Sequence, residues 1–185
     1  QNQIVVDAEQ DLSTLRLYQL DGPSRANSLL VSANYEVLPL IDVKLAYKYT
    51  DVQQTYATNG LREVPLTPRN RVLATVGYDG RRVKAHLNYH WTGEQRLIDF
   101  DRIPETVSFS HPQRTPAFGL LNAQLTYVAN SHLEIYGGGE NLTNRTQRNA
   151  IIGSEGPFFE PYFDASQVYQ PLFQRRYFLG MRYTL

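Results

Sequence analysis

The chain has 185 residues, 42% of them hydrophobic, with thirteen tyrosines, eight phenylalanines, one tryptophan and no cysteine. Its 18 basic and 18 acidic residues cancel. This balance excludes disulfide frameworks, thiolate zinc sites and cysteine nucleophiles, and it opposes nucleic-acid binding, which needs a basic excess to neutralise phosphates. No window approaches the about 18 consecutive apolar residues of a transmembrane helix, so a helical membrane protein is excluded as well.

Taken in chain order, the elements begin awkwardly. Gln1 is neither an initiating Met nor the start of a signal peptide. Residues 3–7 read as a strand, yet a membrane crossing needs about 9–11 tilted residues. The first observation predicts a processed N-terminus or a chain cut from something longer, and the second a chain that starts partway through a strand. After a long link over 7–25, alternation with a period of two sets in over 28–35 and is regular over 41–50. There Ile41, Val43, Leu45, Tyr47 and Tyr49 alternate with Asp42, Lys44, Ala46, Lys48 and Thr50, the pattern of a strand whose two faces meet different surroundings.

The pattern returns over 72–78, over 83–92 and over 121–127. In the second of these, Val83, Ala85, Leu87, Tyr89 and Trp91 oppose Lys84, His86, Asn88, His90 and Thr92. It runs again over 132–141 and over 177–185. Short links at 37–40, 79–82 and 128–131 suit tight hairpins. They alternate with long links at 7–25, 56–70, 96–116 and 143–175. An antiparallel up-and-down transmembrane β-barrel, with short periplasmic turns and long extracellular loops, predicts this order; a soluble sandwich does not.

The aromatics follow strand polarity. Tyr35, Tyr78, Tyr127 and Tyr183 close strands that run into short turns, whereas Tyr47, Tyr49, Tyr89 and Trp91 come late in strands that run out to long loops. A barrel in a bilayer places rings at these two levels, and a small soluble calyx has no use for them. Tyrosine's general preference for strands accounts for the enrichment but not for the placement. On this reading Lys44, Lys48, Lys84, Glu134 and Arg182 face a hydrated interior. At mid-depth in lipid each basic one would cost about 2–4 kcal/mol.

The C-terminal run 175–185 resembles the closing strand of outer-membrane barrels. Gly180, Tyr183 and Leu185 match the signal read by the barrel-assembly machinery, with Phe178 standing where a polar residue is usual and Leu185 replacing the more frequent Phe. Further in, Leu133-Glu134-Ile135-Tyr136-Gly137-Gly138-Gly139-Glu140-Asn141-Leu142-Thr143-Asn144 resembles the penultimate strand of TonB-dependent receptors. The segments 68–71, 91–93 and 118–127 are similar to successive elements of that family, in family order. The loop text 161–166 is similar to that of Bacteroidetes receptors.

The resemblance implies residues 1–185 as the C-terminal part of a receptor barrel, about eight strands of about 22, whose plug domain and N-terminal strands are absent here. It implies an outer-membrane location in a Gram-negative bacterium and uptake of a scarce solute such as a siderophore, cofactor or glycan fragment. The implied partners are outer-membrane lipid, the TonB system acting through the missing plug, and the assembly machinery. A complete small eight-stranded barrel with a structural or adhesive role, and a soluble ligand-binding barrel, stay open as alternatives.

Reactive chemistry is sparse. His86 and His90 on one strand lie about 13 Å apart, too far to share an ion. Asp99 and Asp101 with nearby Glu105 offer calcium ligands in an outer loop, but such acids are more often solvated, and they are read as solvated. Gly137–Gly139 lies in a strand and reads as a close backbone approach rather than a phosphate loop. No serine sits in a nucleophile motif, and His111 and His132 have no carboxylate at a useful spacing. No catalytic residue, metal ligand or cofactor is therefore expected. The candidates for ligand recognition are Phe158, Phe159, Tyr162 and Phe163 in the long loop 143–175, which also carries Tyr169 and Phe173, together with Trp91 at the outer end of its strand; packing of the loop aromatics onto their neighbours is the competing reading and the more common use of such rings.

Overall fold

A computed structural model describes residues 4–7, 16–57, 59–98, 112–148, 150–151, 165 and 167–185. Among these residues ten strands form: β1 (Ile4–Asp7), β2 (Arg16–Gln19), β3 (Arg25–Leu38), β4 (Ile41–Tyr56), β5 (Gly60–Glu63), β6 (Asn70–Asp79), β7 (Val83–Thr92), β8 (Phe118–Val128), β9 (Leu133–Glu140) and β10 (Arg176–Tyr183). There is no helix among the described residues. β1 and β2 pair with each other. The remaining eight form one sheet in the order β10-β9-β8-β7-β6-β4-β3, with β5 on β4 beyond the end of β6. Every pairing is antiparallel and, with β5 set aside as an offshoot of β4, the strands from β3 to β10 lie side by side in sequence order, the meander expected of an up-and-down barrel. Within these residues the barrel is not closed, since β3 pairs only with β4 and β10 only with β9.

The register carries the alternation across the whole sheet. Leu45 stands opposite Ala33 and Ala74, Leu87 opposite Val76 and Ala123, and Gly137 opposite Leu125 and Leu179. A one-residue slip would move each set to the other face, so the pairing fixes one continuous apolar face. Leu45, Leu87, Leu125 and Leu179 on that face are 54, 42, 56 and 82% exposed. They gather into no interior core, so the small soluble barrel with a greasy centre is not favoured.

The described core lies elsewhere. Its hydrophobic members are Tyr56, Leu97 and Phe118, at the loop ends of strands, accompanied by buried Gln95, Thr115 and Asn141.

Three boundaries differ from the sequence reading, all at the loop ends. The link 56–70 contains β5, which pairs with Gln53–Tyr56 and lengthens β4 to 16 residues. The link 7–25 contains β2. The link 96–116 starts and ends as a ladder: Thr115 N donates to Gln95 O at 2.8 Å, Leu97 N donates to Gln113 O at 3.0 Å, and Arg96 bridges Arg114. The cause is the same in each case. Both faces of these extensions carry polar residues, as in Asp51, Gln53 and Gln54, so a ladder forms without the apolar alternation that betrays a strand. At the opposite end the turn shrinks to Pro39 and Leu40, since Leu38 already pairs with Ile41. Leu40 takes a left-handed φ of 70°.

Candidate functional site

Opposite the apolar face lies a polar wall. Thr75 Oγ1 donates to Asn88 Oδ1 at 2.9 Å across paired positions. Glu134 on β9 receives Lys84 from β7 at 3.4 Å and Arg182 from β10 at 3.3 Å. Arg176 pairs with Glu140 at 2.8 Å, and His86 Nε2 approaches Asp79 at 3.9 Å. These ions remain partly exposed, where each pair adds at most about 1 kcal/mol, so the wall is hydrated rather than packed.

Two glycines on this wall act as floors for rings. A Cβ at Gly180 would come within 2.6 Å of the Tyr136 ring. One at Gly138 would meet Ala123 O at 2.4 Å and the Phe178 ring at 2.6 Å. Phe178, the departure from the usual closing-strand pattern, thus places its ring tip where a side chain at Gly138 would stand, with the ring 6.5 Å from that of Tyr136.

The outer rim is held by side-chain amides. Asn141 takes a left-handed φ of 51° and is buried. Its backbone N donates to Asn122 Oδ1 at 2.9 Å. Its Nδ2 donates to Arg145 O at 2.8 Å and Phe173 O at 3.1 Å, while its Oδ1 accepts from Arg145 N at 2.9 Å. Asn144 Oδ1 accepts from Arg175 N at 3.0 Å. Gln147 donates to Gln167 O at 2.7 Å and accepts from Tyr169 N at 2.8 Å and Gln170 N at 3.2 Å. Three amides therefore tie the outgoing stem of the long loop to its returning stem. Burial pushes the Tyr169 phenol above its ordinary pKa of 10.0.

A second rim feature is a row of ion pairs. Arg25 lies 3.9 Å from Asp51, Arg69 3.5 Å from Asp51 and 2.5 Å from Glu63, and Arg114 2.8 Å from Glu63. Nearby, Arg96 donates to Glu63 O at 2.7 Å and its guanidinium stands 5.6 Å from the centre of the Tyr56 ring.

Phe158, Phe159, Tyr162 and Phe163 lie outside the described residues, as do Asp99, Asp101, Glu105 and His111. Trp91 lies on the apolar face, opposite Val72 and Gly119, in company with Tyr89 rather than with the loop stems. His86 and His90 are on the polar wall. Gly180, Tyr183 and Leu185 sit on or just past β10, with Tyr183 opposite Leu133 on the apolar face. Among the described residues no three His, Asp or Glu side chains gather to hold a metal. Neither the amide clamp nor the ion-pair row follows from the sequence pattern alone. The clamp had a legible trace in the Asn-Leu-Thr-Asn text of 141–144, whereas the row joins residues up to 89 positions apart and left none.

An antiparallel meander with one exposed apolar face, one hydrated wall and ordered loop stems at one end is the wall of an outer-membrane type β-barrel. Residues 1–142 match the family described as TonB dependent receptor-like, beta-barrel, and the chain belongs to that family. No curated protein matches it by sequence.

Among solved structures it is similar to the ferric-catecholate import receptor Fiu from E. coli K12 in its closed form. The identity is 14%, over 99% of this chain and 23% of that one, with a TM-score of 0.64. It is similar to the copper transporter OprC, at 14% identity over 80% of this chain and 22% of that one, TM-score 0.61. It is also similar to FpvA of P. aeruginosa, solved with a heterologous pyoverdine, at 14% identity over 98% and 23%, TM-score 0.58. At such identity the likeness establishes the fold. The chain spans about a quarter of the length of these structures.

Proposed function

We propose that residues 1–185 are the C-terminal part of an outer-membrane receptor that takes up a scarce solute. The plug domain and the earlier strands lie upstream. The carrying observation is the separation of faces: one exposed apolar face runs unbroken from β3 to β10, backed by a wall of ions and amides. That arrangement costs least with lipid on one side and water on the other. Membership of a family that imports siderophores and metals supports a transport role rather than an enzymatic one. The ordered rim carries the loops that meet the solute, with Phe158, Phe159, Tyr162 and Phe163 as the aromatic contacts. Entry follows when energy relayed by TonB displaces the plug, and the assembly machinery inserts the barrel by reading Gly180, Tyr183 and Leu185.

The test is deletion of the gene in its source bacterium. The protein is expected in the outer-membrane fraction. The deletion is expected to lose growth on one metal chelate, cofactor or glycan supplied at limiting concentration, and deletion of TonB is expected to reproduce that loss. Recovery of the protein from the soluble fraction, or growth loss that ignores TonB, defeats the reading.

A further inference from the structure

The ion-pair row at the rim has a composition and a position that bracing alone does not require. Arg25, Asp51, Arg69, Glu63 and Arg114 alternate in sign with a guanidinium at each end and one in the middle, so one positive charge is in excess. The three arginine side chains are 56, 41 and 44% exposed. Arg69 Nε is buried and has no acceptor among the described residues. Arg25 NH2 donates to Gln53 Oε1 at 2.9 Å beside Asp51, and Arg114 NH2 meets Glu63, so among the described residues the other N–H groups of both guanidiniums stay available to an oxygen-rich anion.

Strand periodicity fixes where this charge sits. Tyr47, Tyr49, Asp51 and Gln53 alternate onto one face, the apolar one, and Arg25 stands opposite Gln53. Asp51 therefore lies about 7 Å along β4 beyond Tyr49. Tyr47 donates to Asn70 Oδ1 at 2.6 Å, which fixes its ring at that level. If the tyrosines mark the upper edge of the hydrocarbon, the row stands at headgroup depth, outside the barrel and away from the polar wall.

We propose that this row binds the phosphate groups of a phosphorylated glycolipid in the outer leaflet. Arginine forks match phosphate oxygens bidentately, and a basic cluster beside a membrane-spanning surface attracts anionic headgroups. Three guanidiniums in a line suit a headgroup with more than one phosphate. The proposal rests on the outer-membrane reading above.

The experiment uses the native protein that carries this chain, extracted from the outer membrane in mild detergent. The probes are lipid A, lipid A stripped of its phosphates, and inorganic phosphate as competitor, with binding followed by native mass spectrometry. Lipid A is expected to remain bound and the stripped form to be lost. The Arg25→Ala, Arg114→Ala double variant is expected to bind about a hundredfold more weakly, tenfold for each charge-assisted contact, with unchanged migration as a folded barrel.

Equal retention of stripped lipid A, or unchanged binding by the double variant, overturns the proposal. Complete displacement by inorganic phosphate also overturns it, by showing a free-anion site. Failure with the protein firmly in the outer membrane sinks this inference alone; absence from that membrane sinks the receptor reading with it.

Discussion

Asn141 concentrates several constraints in one residue. Its left-handed backbone suits asparagine, and its carboxamide satisfies groups on both stems of the long loop. Asn141→Ala removes both the donor and the acceptor while keeping the unfavourable φ, so about 1–3 kcal/mol of stability is expected to go. Limited proteolysis should then cut within 143–175 well before the strands, and cleavage no faster than in the parent would refute the clamp. Tyr169, on the returning stem, is sensitive in another way. Its phenol is raised above 10.0 by burial, so the folded state holds the proton more tightly than the unfolded one. Stability from this residue is therefore intact below pH 10.0 and falls as pH climbs toward the folded value. Alkaline titration of loop proteolysis should show that loss, and Tyr169→Phe should remove it. Asparagine in the text of 141–144 was visible in the sequence, but its partners were not, because Asn122 and Phe173 come near only after the strands pair.

At the scale of the strand, glycine placement divides by face. Gly137 and Gly138 are adjacent, yet a methyl at Gly137 meets the flexible end of Leu179 at 3.3 Å, while one at Gly138 meets Ala123 O at 2.4 Å. Gly138→Ala is expected to push β9 from β8 and lower the unfolding midpoint in urea by the equivalent of about 2 kcal/mol, the scale of an overpacked site, whereas Gly137→Ala is expected to stay within about 0.5 kcal/mol. Equal effects would show that the backbone contact does not limit the strand. The strands themselves are legible where one face is apolar: the alternation over 83–92 has the same bounds as β7. Legibility fails where both faces are wet. β2, β5 and the upper part of β4 escaped for that reason, although their ladders are as regular as those below. Phe178 escaped for another: its meaning depends on Gly138, a cross-strand partner 40 residues away.

For the whole molecule the question is what touches the apolar face, and two residues on β7 answer it. Leu87 is in the middle of the strand and Val83 at its turn end, both on that face, with similar exposures of 42 and 38%. If another part of the protein covered this face, an arginine at either place would be disturbed to a similar degree, since packing knows nothing of distance from a turn. A bilayer imposes depth. Leu87→Arg near the midplane is expected to cost about 2–4 kcal/mol, and Val83→Arg near the interface about 0–1 kcal/mol. Gln124→Arg, on the polar wall opposite His86 and Gly138, should cost no more than about 1 kcal/mol, because its charge stays in water. Urea unfolding of the vesicle-inserted protein measures all three. A gradient from Leu87 to Val83, with Gln124 near neutral, assigns the face to lipid; equal losses at Leu87 and Val83 would assign it to protein and remove the physical basis for a transmembrane receptor.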